Sequence, residues 1–263
     1  MSGDPAVSVI MAAYNGAALI GETLASLSAQ TRGDFELLVV DDCSTDATRA
    51  VVRAFPDPRI RLIALEANGG PVRARNRAVA AARGRYIAAL DQDDLCHPDR
   101  FARQVAFLDA RPDVVLVASG TDFLTERGAI RRPAVAQTSP ASIGWQLRLG
   151  NPIVWSSVML RADVARRLRP FTRPEILYAE DFDLYHRIGA FGAVARIDAP
   201  LVTYRQHAGG ASQRYEAMML ASATRVLAEA YAPLLGDEAA DAAGLIVRHL
   251  MHGAPVPDGE TLG

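Results

Sequence analysis

Apolar runs of strand length alternate with stretches of helical periodicity from the start of the chain, and this alternation restricts the available folds more than any other feature. Val7-Ser8-Val9-Ile10-Met11-Ala12-Ala13 reads as a strand that ends at the turn signal Tyr14-Asn15-Gly16. From about Ala17 to Gln30, the residues Leu19, Ile20, Leu24 and Leu27 recur at helical spacing. Phe35 to Val40 is a second strand running into Asp41-Asp42-Cys43-Ser44-Thr45-Asp46. Ser44, Thr45 and Asp46 suit the N-cap of a helix that reaches Phe55. Pro56-Asp57-Pro58 closes that helix, and Ile60 to Leu65 is a third strand. Asn68-Gly69-Gly70-Pro71 opens a helix carrying Arg73, Arg75, Asn76 and Arg77 to about Ala82, and Gly84 stops it before a fourth strand, Tyr86 to Leu90. Repetition this regular implies right-handed βαβ units and a parallel sheet, hence an α/β fold.

The fourth strand ends in Asp91-Gln92-Asp93-Asp94, with Cys96-His97-Pro98 just beyond. Acids this close repel one another unless a cation sits among them, and hard divalent cations take oxygen ligands. Ligands bind at the carboxyl ends of strands in such sheets, so the cluster reads as a metal–phosphate site; a solvated turn capping the next helix reads equally well. The first and second strands also end in polar clusters, Tyr14-Asn15 and Asp41-Asp42. A parallel sheet brings all three clusters to one edge.

Composition narrows the chemistry. The formal net charge is −2, which argues against a nucleic-acid or anionic-membrane surface. All 28 basic residues are arginine, so mechanisms that need a Schiff-base or P-loop lysine are excluded. Two cysteines, Cys43 and Cys96, cannot form a disulfide framework and suit a reducing compartment. No signal-like stretch and no apolar run of transmembrane length is present, so a soluble cytoplasmic protein is expected.

Further along, a helix is expected from Asp99 to Ala110, a strand at Val114 to Ala118 and a less regular stretch from Thr121. A short helix around Trp145, a strand from Val154 to Leu160 and a helix from Ala162 to Leu168 follow. Ala179-Glu180-Asp181-Phe182-Asp183 begins another helix, and Leu201 to Arg205 is a late strand leading to Gln206-His207. From Arg214 the chain is Ala-rich and helical in two segments split near Pro233 and Gly236, and a frayed tail is expected from Pro255. The Ala-rich helices have three open uses: packing on the core, covering the site or forming a homodimer.

These motifs, in this order, resemble those of the family 2 glycosyltransferases, inverting nucleotide-sugar enzymes of the GT-A fold. The resemblance runs from Val7 to Ser212. Val7 to Asn15 matches the opening strand and turn, and Val39 to Asp46 is similar to the second-strand signature, although the family usually has glycine at the place of Cys43. Asn68-Gly69-Gly70 through Asn76, Asp91-Gln92-Asp93 as a DxD motif, Glu180-Asp181 as the acidic motif, and Tyr204 to His207 with Ser212 complete the series. The resemblance implies a Rossmann-like, mostly parallel sheet flanked by helices over residues 1–213, with a C-terminal helical extension over 214–263. Within it, 1–120 is the nucleotide-sugar half and 121–213 the acceptor half.

It also implies roles. A divalent cation, Mg2+ or Mn2+, would bridge the donor diphosphate, with Asp93 as its protein ligand, Asp91 on the donor's ribose or the metal's water shell, and His207 as a metal or phosphate contact. Asp94 is open between a supporting role and a helix cap. Ala12, Tyr14, Asn15, Asp41 and Gln92 are expected on the nucleoside and donor, and Arg75 is favoured over Arg73 and Arg77 for the diphosphate. Asp181 is the expected base for in-line attack by an acceptor hydroxyl, with Glu180 positioning the acceptor. Asp183 is turned about 200° around the helix and is expected outside the site. His97, His186 and both thiols are read as structural.

The expected function is transfer of a sugar from a UDP-, GDP- or TDP-linked donor to an acceptor hydroxyl, in glycan or cell-envelope polysaccharide synthesis. The alternatives are a small-molecule natural product as acceptor, or a non-catalytic nucleotide-sugar-binding scaffold. A nucleotidylyltransferase wants a Gly-rich basic loop after the first strand, and an aspartyl phosphatase wants a lysine; this chain offers neither.

Overall fold

The computed structural model describes residues 4–133, 139–207 and 210–256, together with the backbone but not the side chains of 211 and 212. The first half follows the expected alternation closely. β1 (Val7–Ala13), α1 (Ile20–Ser28), β2 (Phe35–Asp41), α2 (Thr48–Ala54), β3 (Ile60–Ala64), α3 (Gly70–Ala81) and β4 (Tyr86–Ala89) come in that order. β3, β2, β1 and β4 lie side by side and parallel. Strands covered on both faces should be apolar throughout, and every residue of β2 and β4 is buried.

The second half is antiparallel in part. β5 (Leu95–Cys96), α4 (Arg100–Ala110), β6 (Val114–Leu124), β7 (Ile130–Arg131), α5 (Pro140–Leu147), β8 (Met159–Arg161), α6 (Ala162–Arg167), α7 (Glu180–Ile188) and β9 (Ala193–Arg205) follow. The sheet reads β3-β2-β1-β4-β8-β6-β9-β5, with β7 paired to β6. β6 and β9 are much longer than the sequence indicates, because each extends through polar residues that gain a partner only across the β6–β9 ladder. The strand expected from Val154 starts instead with a 3-10 turn at Trp155–Ser157, where Ser157 Oγ donates to the Val154 carbonyl at 2.7 Å, and only Met159–Arg161 joins the sheet.

Side chains alternate across each strand and feed two cores. Ile10, Leu38, Val40 and Ile87 face α3, α6 and α7, while Val9, Met11, Leu37 and Val39 face α1 and α4. α8 (Ala211–Arg214) leads into α9 (Glu216–Leu235) and α10 (Ala239–Ile246). Val226, Leu227, Tyr231 and Ala243 of this extension belong to the first core, so the Ala-rich helices pack on the domain. The tail expected from Pro255 lies mostly outside the described residues. Among the described residues no helix is long and apolar enough to cross a membrane.

Arg100 anchors the end of β4 from below. It is fully buried, and Nη2 donates to the carbonyls of Ala89 at 2.9 Å and Val158 at 3.0 Å while Nε reaches Gln104. Arg100→Met should lower the unfolding free energy by at least about 2 kcal/mol in chemical denaturation, because buried carbonyls lose a charged donor. A variant as stable as the parent would show that Arg100 is not structural.

Candidate active site

The parallel order β2-β1-β4 brings the three polar clusters to one edge, but most of their side chains serve the backbone. Asn15 Oδ1 accepts from Thr45 N at 2.8 Å, Gly16 N donates to Thr48 Oγ1 at 2.8 Å, and Ala17 N donates to Asp46 Oδ2 at 3.1 Å. These bonds stitch the turn after β1 to the turn after β2. Asn15 and Cys43 have φ of 47° and 64° in these turns. The left-handed backbone at Cys43 suits glycine best, which accounts physically for glycine at this place in the family pattern.

Asp42 is a residue that the sequence reading left without a role. Its two carboxylate oxygens accept from Gly69 N at 2.9 Å and Gly70 N at 2.7 Å, filling the start of α3. A helix start suits anions, and here an anion from the protein itself occupies it. Acids beside a strand end and a Gly-Gly helix start are the signal that could have revealed this.

Gln92 and Tyr14 form a reciprocal pair. Tyr14 N donates to Gln92 Oε1 at 3.0 Å, and Gln92 Nε2 donates to the Tyr14 carbonyl at 3.1 Å. The amide of Gln92 is thereby committed to the backbone, and the Tyr14 ring is left 46% exposed rather than packed in the core. Ala12 is half-buried at the end of β1. Asp41 is fully buried; Oδ1 accepts from Ser44 N at 3.1 Å and from Arg49, and Oδ2 has no partner among the described residues.

The acids gather around Arg75. α3 turns Arg73 and Arg77 to solvent and Arg75 inward. Its Nη1 donates to Glu180, its Nη2 lies 3.2 Å from Asp91 Oδ1, and its guanidinium carbon sits 4.5 Å from the centre of the Trp155 ring. Burial opposes the charge, but Glu180, Asp91 and Asp181 hold Arg75 firmly protonated. Two links that sequence reasoning missed fix the geometry. Asn76 exchanges hydrogen bonds with the backbone of Thr172 at 2.8 and 2.9 Å, tying α3 to the segment before α7, and Ser156 Oγ accepts from Asp91 N at 3.0 Å.

Asp181, on the first turn of α7, stays outside the guanidinium fork. Asn151 Nδ2 donates to its Oδ2 at 2.9 Å and Phe182 N to its Oδ1 at 2.8 Å. Burial and the adjacent Glu180 push its carboxyl up to about 6, against the pull of Arg75. Asp183 turns away, as expected, into ion pairs with Arg173 and Arg187.

His207 reaches the DxD segment because β5 and β9 pair, Leu95 against Thr203 and Cys96 against Val202. His207 Nε2 lies 2.8 Å from Asp93 Oδ2. Arg205 clamps the same loop: its N donates to Asp94 Oδ1 at 2.9 Å, Nε to the Asp93 carbonyl at 3.0 Å, and Nη2 to Glu22 at 2.6 Å. Asp94 is buried and takes a backbone N–H from β9, so it does not cap α4, whose first residue is Arg100. His97 and His186 bond Thr203 and the Leu147 carbonyl and stand apart from the acids.

Among the described residues no three His, Cys, Asp or Glu side chains form a ready metal cage. A cation bridging a diphosphate needs only one or two protein ligands, the phosphates and water filling the rest. Asp93 offers a carboxylate, the donor type that such a cation prefers, and His207, hydrogen-bonded to it here at 2.8 Å, would release that contact to join it.

The raised Asp181 carboxyl has a thermodynamic consequence. A group bound to its proton more tightly in the folded state favours folding at low pH and costs stability as pH rises through about 6. Asp181→Asn should therefore exceed the parent in stability by about 2 kcal/mol at pH 8, discounted for partial exposure, with the gain fading between pH 6 and 4. Denaturant curves at these pH values check it; a pH-independent difference would contradict the shift.

Comparisons with known proteins bear on the family and the fold. The model of the family described as Glycosyl transferase family 2 matches residues 8–160. ExoO of Rhizobium meliloti, a succinoglycan biosynthesis protein, is 53% identical over 106 residues. That stretch is 40% of this chain and only 30% of ExoO, so the chain spans under a third of that relative. The Escherichia coli protein WfaP, named as a UDP-Glc:alpha-D-GlcNAc-diphosphoundecaprenol beta-1,3-glucosyltransferase, is 32% identical over 208 residues, 78% of this chain and 79% of WfaP. In structure, the mannosyltransferase PcManGT of Pyrobaculum calidifontis, solved with GDP-Man and Mn2+, superposes with a TM-score of 0.65 at 22% identity, covering 99% of this chain and 79% of that one. A parallel β3-β2-β1-β4 half joined to a mixed half, with acids at the shared strand ends, is the GT-A fold, and the chain belongs to glycosyl transferase family 2.

Proposed function

We propose that the chain transfers a sugar from a nucleoside-diphosphate donor to an acceptor hydroxyl with inversion, in the assembly of an extracellular or envelope polysaccharide. The observation that carries this reading is the meeting of Asp91 and Glu180 on one guanidinium, with Asp181 beside them and its carboxyl raised to about 6. A carboxyl near that value is largely ionised at neutral pH and is basic enough to accept a proton from an attacking hydroxyl. The relatives named for succinoglycan biosynthesis and for GlcNAc-diphosphoundecaprenol support an envelope or extracellular glycan as acceptor.

In this reading Tyr14 flanks the base with its exposed ring, and Ala12 and Asp41 line the nucleoside side. Asn15 and Gln92 act indirectly by shaping the turn that carries Tyr14. Asp93 and His207 would hold a divalent cation, which when bound neutralises charge on the leaving diphosphate. Arg75 orients Asp91 and Glu180 instead of meeting the diphosphate. Asn151 holds the Asp181 carboxylate toward the acceptor side.

A screen of intact UDP-, GDP- and TDP-sugars for donor hydrolysis and transfer tests the reading. Asp181→Asn should bind donor yet lose turnover by about 10²–10⁴-fold. Asp93→Ala should lose the metal-dependent melting shift with nucleotide. For the parent, kcat/KM should fall about tenfold per pH unit below about 6, as the base takes up its proton. Full turnover in Asp181→Asn would remove the base from Asp181, and no response to any donor would favour a binding scaffold.

A further inference from the structure

Just before His207 the ends of three strands frame a pocket of about 250 Å3, lined by Phe123, Arg131, Arg132, Pro133 and Gln206, that the reaction as described does not use. Strand pairing builds it. Phe123 of β6 stands opposite Arg131 of β7 on one side and Tyr204 of β9 on the other, and cross-strand neighbours share a face of the sheet. The Phe123 and Tyr204 rings meet edge to face with centres 5.7 Å apart, giving the row an apolar floor. Gln206 continues from β9, its N donating to the Leu124 carbonyl at 2.8 Å.

The charge of the pocket is one-sided: its lining holds two guanidinium groups and no carboxylate. Arg131 is exposed and has no ion pair among the described residues. Buried Asp122 accepts from Arg132 Nε at 3.1 and 3.2 Å, which fixes that guanidinium while the side chain stays 71% exposed. Other arginines around the site are committed to the protein's own groups, Arg75 to Glu180 and Asp91, Arg49 to Asp41, and Arg205 to Glu22 and the Asp93 carbonyl. Position ties the pocket to both halves of the site. Gln206 is the residue before His207, which lies against Asp93, and consecutive Cα atoms are only about 3.8 Å apart. On the other side, α5 packs against both β9 and α7, and the chain after α5 brings Asn151 to Asp181.

Resting on the glycosyl-transfer reading above, we propose that this pocket is an anion subsite for the acceptor: it takes a phosphate attached to the sugar that receives the transfer. Arginine forks match phosphate oxygens in pairs, and the Phe123 ring offers an apolar wall to the group that the phosphate carries.

The test is an isothermal titration of the full chain in metal-free buffer, so that a metal-dependent donor site does not compete. The probes are N-acetylglucosamine 1-phosphate, methyl N-acetylglucosaminide and inorganic phosphate. The sugar phosphate should bind the parent and should bind Arg131→Gln about tenfold more weakly. Arg127→Gln, exposed in the same hairpin but outside the pocket, should bind it like the parent. The methyl glycoside, without the anion, should bind the parent at least about tenfold more weakly than the sugar phosphate. Absent binding of the sugar phosphate, or equal affinity in the parent and Arg131→Gln, overturns the proposal. Inorganic phosphate binding as tightly as the sugar phosphate overturns it too, since the pocket would then serve free phosphate. A parent that transfers no sugar from any donor overturns the glycosyl-transfer reading alone, because the titration needs no turnover.

Discussion

One guanidinium makes this site feasible. Asp91 arrives at the end of β4, Glu180 and Asp181 at the start of α7, and three carboxylates at such proximity cannot all ionise without a counter-charge. Arg75 supplies it with a planar fork, Nη1 to Glu180 and Nη2 to Asp91, and its face lies against Trp155. A point charge on a flexible stem would not hold both acids in one plane. The fork serves two carboxylates and leaves the third, and burial raises the proton affinity of Asp91 inside the fork as well as of Asp181 beside it.

The same economy governs the strand ends. Asp42 occupies the start of α3, Asn15 stitches two turns and Gln92 holds the Tyr14 backbone, so polar residues that look like ligand contacts are largely scaffolding for Tyr14, Asp41 and Arg75. Buried backbone groups at the strand ends need partners, and the nearest side chains provide them before any ligand can. On the opposite side, Arg205 ties β9 to Asp93, Asp94 and Glu22, which carries His207 to the DxD segment. Arg173, shared by Asp183 and Glu229, joins α7 to α9 and so links the acid-bearing helix to the C-terminal extension.

How much of this was legible in the sequence follows from range. β1, β2, β3, β4 and the helices between them rest on local periodicity and turn signals, and those elements appear within a few residues of expectation. The separation of Asp181 from Asp183 was legible for the same reason, a fixed rotation per residue. The lengths of β6 and β9 were not, because their outer residues become strand only by pairing with each other. Arg100, Ser156 and Asn151 carry no local motif; each acquires its role from a partner far along the chain that only the packed fold supplies. Asp94 was ambiguous in sequence and was resolved by a backbone N–H that β9 delivers.

The central claim is that Arg75 and Glu180 are energetically one unit within the acid cluster. A double-mutant cycle of Arg75→Met and Glu180→Gln, followed by chemical denaturation, measures that directly. The account predicts a coupling of at least about 1.5 kcal/mol, the double variant being far less destabilised than the two single changes added together. Additive effects, with no coupling, would contradict it.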